Sequence, residues 1–337
     1  MKKRLAFIDH NFHQKSRSAD FLREIFKDHF IIDNFWWSLK DQYNLIELVK
    51  NYDNFFFFQS LLPLDDMLLL KNKNVMWAPM YDNLSQHNSY WKKIKYLDIK
   101  ILSFSSPVKR LALKYKCKYL SLKYSMKNNV TRIQKKNKIN IFFWFRSNIK
   151  FYDWIKKFDS KIIKKITFFN CPDPGRGHDV INRRDIKKFN VKIIKKSFLP
   201  KKEYLNLLRD CDVFVCPRKQ EGIGMSFLEA MSMGKYIISH NDATMKDYII
   251  NRKIGFLFDR NNSDKINIKD ISNYKGYRIK TAKKMYKNWT QNKNNITKFF
   301  INTTNNSDKN IFTELLFFSD FYLRLKQILK NLIFRNF

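Results

Sequence analysis

Short apolar runs alternate along this chain with longer stretches of helical spacing. Arg4-Leu-Ala-Phe-Ile-Asp9 is an apolar run that ends in a polar loop, His10 to Ser18, and hands over to a helical pattern from Ala19 to Phe30. Phe30-Ile-Ile-Asp33 and Phe55-Phe-Phe-Phe58 repeat the strand pattern, with a helical stretch, Tyr43 to Lys50, between them. Val75-Met-Trp-Ala78 and Ile99-Lys-Ile-Leu102 continue the series. Runs apolar on both faces, separated by helices, predict a parallel sheet covered on both sides. Lys135-Lys-Asn-Lys138 is a charged, polar break and reads as a linker. A second series begins at Ile139-Asn-Ile-Phe-Phe-Trp-Phe145 and runs through Lys165 to Phe169, Val191 to Ile194, Val213 to Cys216 and Tyr236 to Ser239. The pattern predicts an α/β protein of two Rossmann-like, doubly wound domains, residues 1–134 and 135–302, with a C-terminal helical tail in 303–337.

In that tail, Phe312, Leu315, Leu316, Tyr322, Leu325, Leu329, Leu332 and Ile333 recur at helical spacing among Arg324, Lys326, Lys330 and Arg335. Two readings stand side by side: a basic amphipathic helix lying in a membrane interface, and a terminal helix packed on the first domain. Length supports two cores, since 337 residues suffice for two medium domains. A hydrophobic share of 44% with 16% aromatics excludes a disordered chain.

Met1-Lys-Lys-Arg4 is basic like the start of a signal peptide, but Leu5 to Ile8 is stopped by Asp9-His10. The greasiest stretch, Phe55 to Leu70, is broken by Gln59, Pro63, Asp65 and Asp66, too soon to span a bilayer. The expectation is a protein on the cytoplasmic side. Cys117, Cys171, Cys211 and Cys216 lack Cys-x-x-Cys spacing and read as reduced thiols; no metal-ligand cluster stands out.

The candidate chemistry lies in Glu221-Gly-Ile-Gly-Met-Ser-Phe-Leu-Glu229, followed by Ala230-Met-Ser-Met-Gly234. A strand, a glycine turn and a helix start make an anion site, because the first helical N–H groups are unpaired and glycine admits a phosphate closely. Glu221 before the turn and Glu229 within the helix would accept hydrogen bonds from hydroxyls on either side. A diphosphate flanked by hydroxyls describes a nucleotide-sugar. The alternative is a capping box, Ser226-Phe-Leu-Glu229, that satisfies helix-start donors and does no chemistry.

The full string resembles the Glu-x7-Glu signature of family 4 retaining glycosyltransferases, with Glu221, Gly222, Gly224, Glu229, Ala230, Met231 and Gly234 in place. The likeness is specific over about residues 190–260; where the family often has paired glycines, this chain has Asp242-Ala-Thr244. The resemblance implies the GT-B arrangement, two Rossmann-like domains facing a cleft, closed by helices between Tyr277 and Ile301. It implies transfer of a sugar from a nucleoside-diphosphate sugar with retained configuration and no metal, and hence no cofactor. It implies that Glu221 holds donor hydroxyls, that Glu229 holds the ribose, and that N–H groups near Gly222, Gly224 and Met225 meet the sugar or diphosphate. An Arg and a Lys after the first strand of the second domain would receive the leaving charge; here that strand is followed by Arg146-Ser-Asn-Ile-Lys150, more closely spaced than the family pattern.

Acceptor-side candidates are His10, His13 and Ser18 after the first strand, with Asp82 and His87 after the fourth as catalytic candidates. Asp210-Cys-Asp212 has the form of a metal motif but directly precedes the strand at 213–216, so its carboxylates are expected to cap or solvate a turn. Pro172-Asp-Pro-Gly-Arg-Gly177 is a strong turn signal.

Net charge of +36 admits three accounts: a composition rich in Lys, Asn, Ile and Phe, an anionic membrane with a lipid-linked glycan acceptor, or nucleic acid. Against nucleic acid, the chain has no zinc-finger spacing, RNP-type aromatic string or recognition helix. Two rivals remain to the transferase: a GT-B sugar-nucleotide epimerase and a basic nucleic-acid-binding protein.

Overall fold

A computed structural model describes residues 2–37, 45–59, 66–84, 87–130, 137–197, 199–259 and 263–302. Its contacts divide the chain into two compact units, Met1–Leu122 together with the chain from Asn292 onward, and Lys123–Gln291.

The first unit holds six parallel strands, β1 (Lys3–His10), β2 (Phe30–Trp37), β3 (Asn54–Gln59), β4 (Asn74–Pro79), β5 (Lys100–Ser103) and β6 (Tyr119–Ser121). Their order is β2-β1-β3-β4-β5-β6, so the winding reverses between β1 and β3. Helices α1 (His13–Ser16), α2 (Asp20–Phe26), α3 (Leu45–Asn51), α4 (Asn88–Tyr96) and α5 (Ser106–Lys114) connect them. The four phenylalanines of β3 are all buried because a central strand has a layer on each face. Phe55 and Phe57 join Trp77 and Trp91 on one face. On the other, Phe56 packs 4.9 Å from Phe7 and 5.0 Å from Phe26 between ring centroids. Each such side chain contributes about 1.5–3 kcal/mol on burial.

The second unit holds β7 (Ile139–Phe145), β8 (Ile163–Asn170), β9 (Val191–Ile194), β10 (Val213–Val215), β11 (Tyr236–His240) and β12 (Gly255–Phe258), again all parallel. Their order, β12-β11-β10-β7-β8-β9, reverses between β7 and β10. The helices are α6 (Phe151–Trp154), α7 (Arg183–Lys188), α8 (Lys201–Asp210), α9 (Met225–Ser232), α10 (Ile268–Asn273) and α11 (Lys275–Asn292). A last helix, α12 (Asn295–Ile301), belongs to the first unit. There Phe300 sits 5.5 Å from Phe26 and 5.4 Å from Phe30. Lys100 Nζ donates to the Phe300 carbonyl at 2.6 Å, capping the helix end, and burial pushes the Lys100 pKa down to about 8.

The strands and long helices predicted from periodicity are present; β6 and β12 are additions. β6 is a short, half-exposed edge strand with no apolar run to announce it. β12 opens with Gly255, where a Cβ would stand 2.1 Å from the Ile237 carbonyl oxygen, so this close approach of neighbouring strands requires glycine. Between β11 and β12 the chain makes one 3₁₀ turn, Thr244–Tyr248. Residues from Lys123 onward group with the second unit, whereas the polar break in sequence falls at 135–138. Tyr124 explains this, packing 4.9 Å from Trp289 and accepting a hydrogen bond from the Tyr248 hydroxyl at 3.3 Å. The amphipathic segment in 303–337 lies outside the described residues.

Candidate active site

In an open parallel sheet, the carboxyl ends of the strands flanking a winding reversal leave a crevice for ligands. In the second unit those strands are β7 and β10. The predicted residues of this domain gather there, with others that sequence did not single out.

β10 runs through Cys216-Pro217 into Arg218, Lys219 and Glu221. Gly224 ends the turn at φ 64°, a left-handed conformation suited to glycine, and is the N-cap of α9. A Cβ there would also meet the Met245 side chain at 3.0 Å. The helix therefore starts at Met225, and Ser226 lies one residue inside it, not at the cap position. This removes the capping-box alternative and leaves the first N–H groups of α9, those of Met225 and its successors, without intrahelical partners. Gly222 is buried and Glu221 half-buried. Thr244 pins the turn: its Oγ1 accepts from the Glu221 N–H at 3.2 Å, and its own N–H donates to the Lys219 carbonyl at 2.8 Å. Thr244 thus ties the β11 loop to the Glu221 turn, at a place where the sequence departs from paired glycines.

Glu229 is buried on α9, where Lys201 from the start of α8 reaches its Oε1. Burial pushes the Glu229 pKa up, and the Lys201 ammonium opposes that shift. Lys201 carries no motif signature, since only the packing of α8 on α9 brings it to Glu229.

Arg146, the first residue after β7, stands over the Trp144 ring at 4.8 Å and binds Asp173 through Nε at 2.9 Å and Nη2 at 2.7 Å. Arg218 binds the other oxygen of the same carboxylate through Nε at 2.9 Å and Nη2 at 2.5 Å. One carboxylate after β8 is thus clasped by arginines from two other strand ends. Lys150 is exposed and begins α6, its N–H donating to Asp153 Oδ2 at 2.8 Å. The structure pairs Arg146 with Arg218, not with Lys150. Arg218 sits in the same loop as Glu221, yet a chain with 66 lysines and arginines hides it. Next to this group, the buried His240 pairs through Nδ1 with Asp242, which also accepts from Lys219 at 3.4 Å. Burial lowers the His240 pKa, with Asp242 acting the other way.

At the β1 end of the first unit, Asp9 accepts from His13 Nδ1 at 2.5 Å, from Arg23 Nη2 at 2.9 Å and from the His10 N–H at 2.7 Å. His13 is buried in this cluster, and its ring centroid is 6.3 Å from that of His10. Burial, followed by the charge of His13, lowers the His10 pKa. Ser18 Oγ hydrogen-bonds Ser16 Oγ at 2.8 Å. Asp82, in a 3₁₀ turn after β4, and His87, just before α4, are exposed. β3 separates β4 from β1, so the two groups of candidates follow strands two positions apart in the sheet.

Asp212 lies at the opposite, amino edge of β10, where its Oδ2 accepts from the Asn140 N–H at 3.0 Å, and no group of metal-ligating side chains occurs among the described residues. No described helix is long and apolar enough to cross a membrane.

Residues 180–295, about a third of the chain, match a family described as glycosyl transferases group 1. The matched segment includes Glu221, Glu229 and Gly234 and stops short of Arg146 and Asp173. No curated protein matches the chain. Among solved structures, a glycosyltransferase from Rickettsia africae ESF-5 is 14% identical with a TM-score of 0.60, over 90% of this chain and 100% of that one. HepE of Anabaena, in complex with UDP and glucose, is 11% identical with a TM-score of 0.58, over 88% and 99%. Sucrose-phosphate synthase from Thermosynechococcus elongatus is 12% identical with a TM-score of 0.56, over 89% and 98%. At these identities the likeness is one of fold: two Rossmann-like units of the GT-B class.

Proposed function

We propose that this protein is a glycosyltransferase that moves a sugar from a nucleoside-diphosphate sugar to a lipid-linked glycan, with retained anomeric configuration and without a metal ion. The setting is the building of surface polysaccharide, O-antigen or capsule, at the inner face of the plasma membrane. The observation that carries the reading is the meeting, at the β7/β10 reversal, of the Glu221 turn with the Arg146 and Arg218 pair. The match of residues 180–295 to glycosyl transferases group 1 supports it, as does the complex of HepE, a relative in fold, with UDP and glucose.

Breaking the anomeric bond leaves negative charge on the diphosphate, and stabilising that charge lowers the barrier. Arg146, Arg218 and the first amides of α9, from Met225 on, supply positive charge for it, with the exposed Lys150 as a further contributor. Glu221 holds hydroxyls of the donor sugar beside the turn of Gly222 and Gly224. Glu229 holds the ribose hydroxyls, its charge balanced by Lys201. The departing phosphate takes the acceptor proton as the acceptor attacks on the same face. His10 and Ser18, with Asp82 and His87, line the acceptor side, and the buried His13 braces the loop behind them through Asp9. A net charge of +36 suits an anionic leaflet.

The test is transfer of labelled sugar from a panel of nucleotide-sugars into a lipid extract, run with and without EDTA. Labelled lipid that forms equally in EDTA, with the α or β configuration of the donor kept, is expected. An isomerised nucleotide-sugar with unlabelled lipid would point to an epimerase, and strict dependence on a divalent ion would remove the metal-free mechanism.

A further inference from the structure

Asp173 lies in a segment whose sequence, Pro172-Asp-Pro174, announces only a turn. Its carboxylate is nevertheless the centre of the β7/β10 edge. Arg146 commits its Nε and Nη2 to Oδ1, and Arg218 commits the same two atoms to Oδ2. The Asp173 N–H donates to the Arg146 carbonyl at 2.8 Å, so the aspartate is bound to the β7 end by backbone as well as side chain. The proline on each side narrows the backbone: Pro172 fixes its own φ, and Pro174 confines the residue before it to extended conformations. The carboxylate is therefore a stiff post and the two long arginine side chains are held to it. All three side chains keep some access to solvent, at 25% for Arg146 and 18% for both Asp173 and Arg218.

Two guanidinium groups brought together without a carboxylate would repel and splay. With it, two positive charges and one negative leave a single net positive charge on a fixed frame. The clasp takes two of the five N–H groups of Arg146. We infer that Asp173 is a positioning residue for the donor: it holds Arg146 and Arg218 side by side so that their outer N–H edges meet a diphosphate together, and it stays in place when the anion arrives. The identity of the anion rests on the nucleotide-sugar reading above; the clasp itself does not.

Charge and position predict opposite signs, and that makes the test sharp. If only net charge mattered, removing the negative carboxylate would tighten anion binding. If Asp173 positions the arginines, removing it loosens binding, because the flexible side chains must then be ordered at the moment of binding. Calorimetric titration of the full chain with UDP, and separately with inorganic pyrophosphate, distinguishes the two. Asp173→Asn is expected to weaken both ligands by about ten-fold or more with little change in melting temperature, and Asp173→Glu to recover part of the loss. Unchanged or tighter binding by Asp173→Asn overturns the inference. Should that variant not fold, Arg218→Lys keeps the charge and removes the forked geometry. It too is expected to weaken pyrophosphate by about ten-fold, and unaltered binding overturns the inference. A wild-type protein that binds pyrophosphate but neither UDP nor another nucleoside diphosphate would remove the nucleotide-sugar reading and leave the clasp standing. Binding of neither ligand would overturn both.

Discussion

The carboxyl edges of the two sheets carry the same device in two environments. At the end of β1, Asp9 is held between His13 and Arg23; at the β7/β10 edge, Asp173 is held between Arg146 and Arg218. The Asp9 side chain is fully buried, and Arg23 is covered by the rings of Phe7 and Trp36 at 4.3 and 4.8 Å. Asp173 and both its arginines reach solvent. A carboxylate held between two basic side chains is thus a structural rivet where it is itself fully buried and a candidate ligand site where, like Asp173, it keeps access to solvent. Burial, not residue type, separates the two roles.

Four measurements would break or sharpen this contrast. The largest effect belongs to the second edge. Glu221→Ala should lower transfer by roughly 10²-fold or more, since it removes a group that holds the reacting sugar. The fold should persist because Glu221 lies in a half-buried turn. Near wild-type turnover in this variant would remove the site assignment.

Next is the rivet. Asp9→Ala leaves the Arg23 charge and the buried His13 without their partner, and should cost about 3–5 kcal/mol in urea denaturation. A loss below about 1 kcal/mol would place Asp9 with exposed pairs and erase the contrast.

Third, Arg146→Gln should weaken UDP binding by about ten-fold, as expected for one charged hydrogen-bonding group, while melting within a few degrees of wild type. A large stability loss with unaltered binding would make the second edge a rivet as well.

The smallest effect tests burial of charge in the first unit. The folded pKa of Lys100 is about 8, below its usual 10.5. Below pH 8 both folded and unfolded forms carry the proton, and stability has no slope from this group. Between about 8 and 10.5 the unfolded chain binds more protons, so stability rises with pH. The stability difference between wild type and Lys100→Met should therefore shift in favour of wild type from about pH 7.5 to about pH 9.5. A constant difference in melting temperature would show that Lys100 keeps its ordinary pKa.

Much of the fold was legible because it rests on local periodicity. Runs such as Phe55 to Phe58 and Ile139 to Phe145 are apolar on both faces, which only a strand between two helical layers satisfies. The β6 edge strand carries no such run, and Gly255 looks like a strand breaker until a neighbouring carbonyl is seen to need its missing Cβ. At the site, Glu221, Gly224 and Glu229 were readable because a glycine turn between strand and helix is a local event. Arg218, Asp173, Thr244 and Lys201 were not. Each acts through a partner 23 to 45 residues away in sequence, and no spacing rule encodes such a pairing.

The sequence by itself determined the two α/β series, the glycine turn that contains Gly224 and the carboxylates on either side of it. Steric limits on φ and the alternation of apolar runs act over a few residues and leave few alternatives. Only the tertiary structure decided the winding reversal at β7 and β10, the choice of Arg218 over Lys150 as the companion of Arg146, and the burial that makes Asp9 a rivet. Those follow from which strands pair across long stretches of chain, and from what then covers them, where the gain from packing a whole sheet outweighs any local preference.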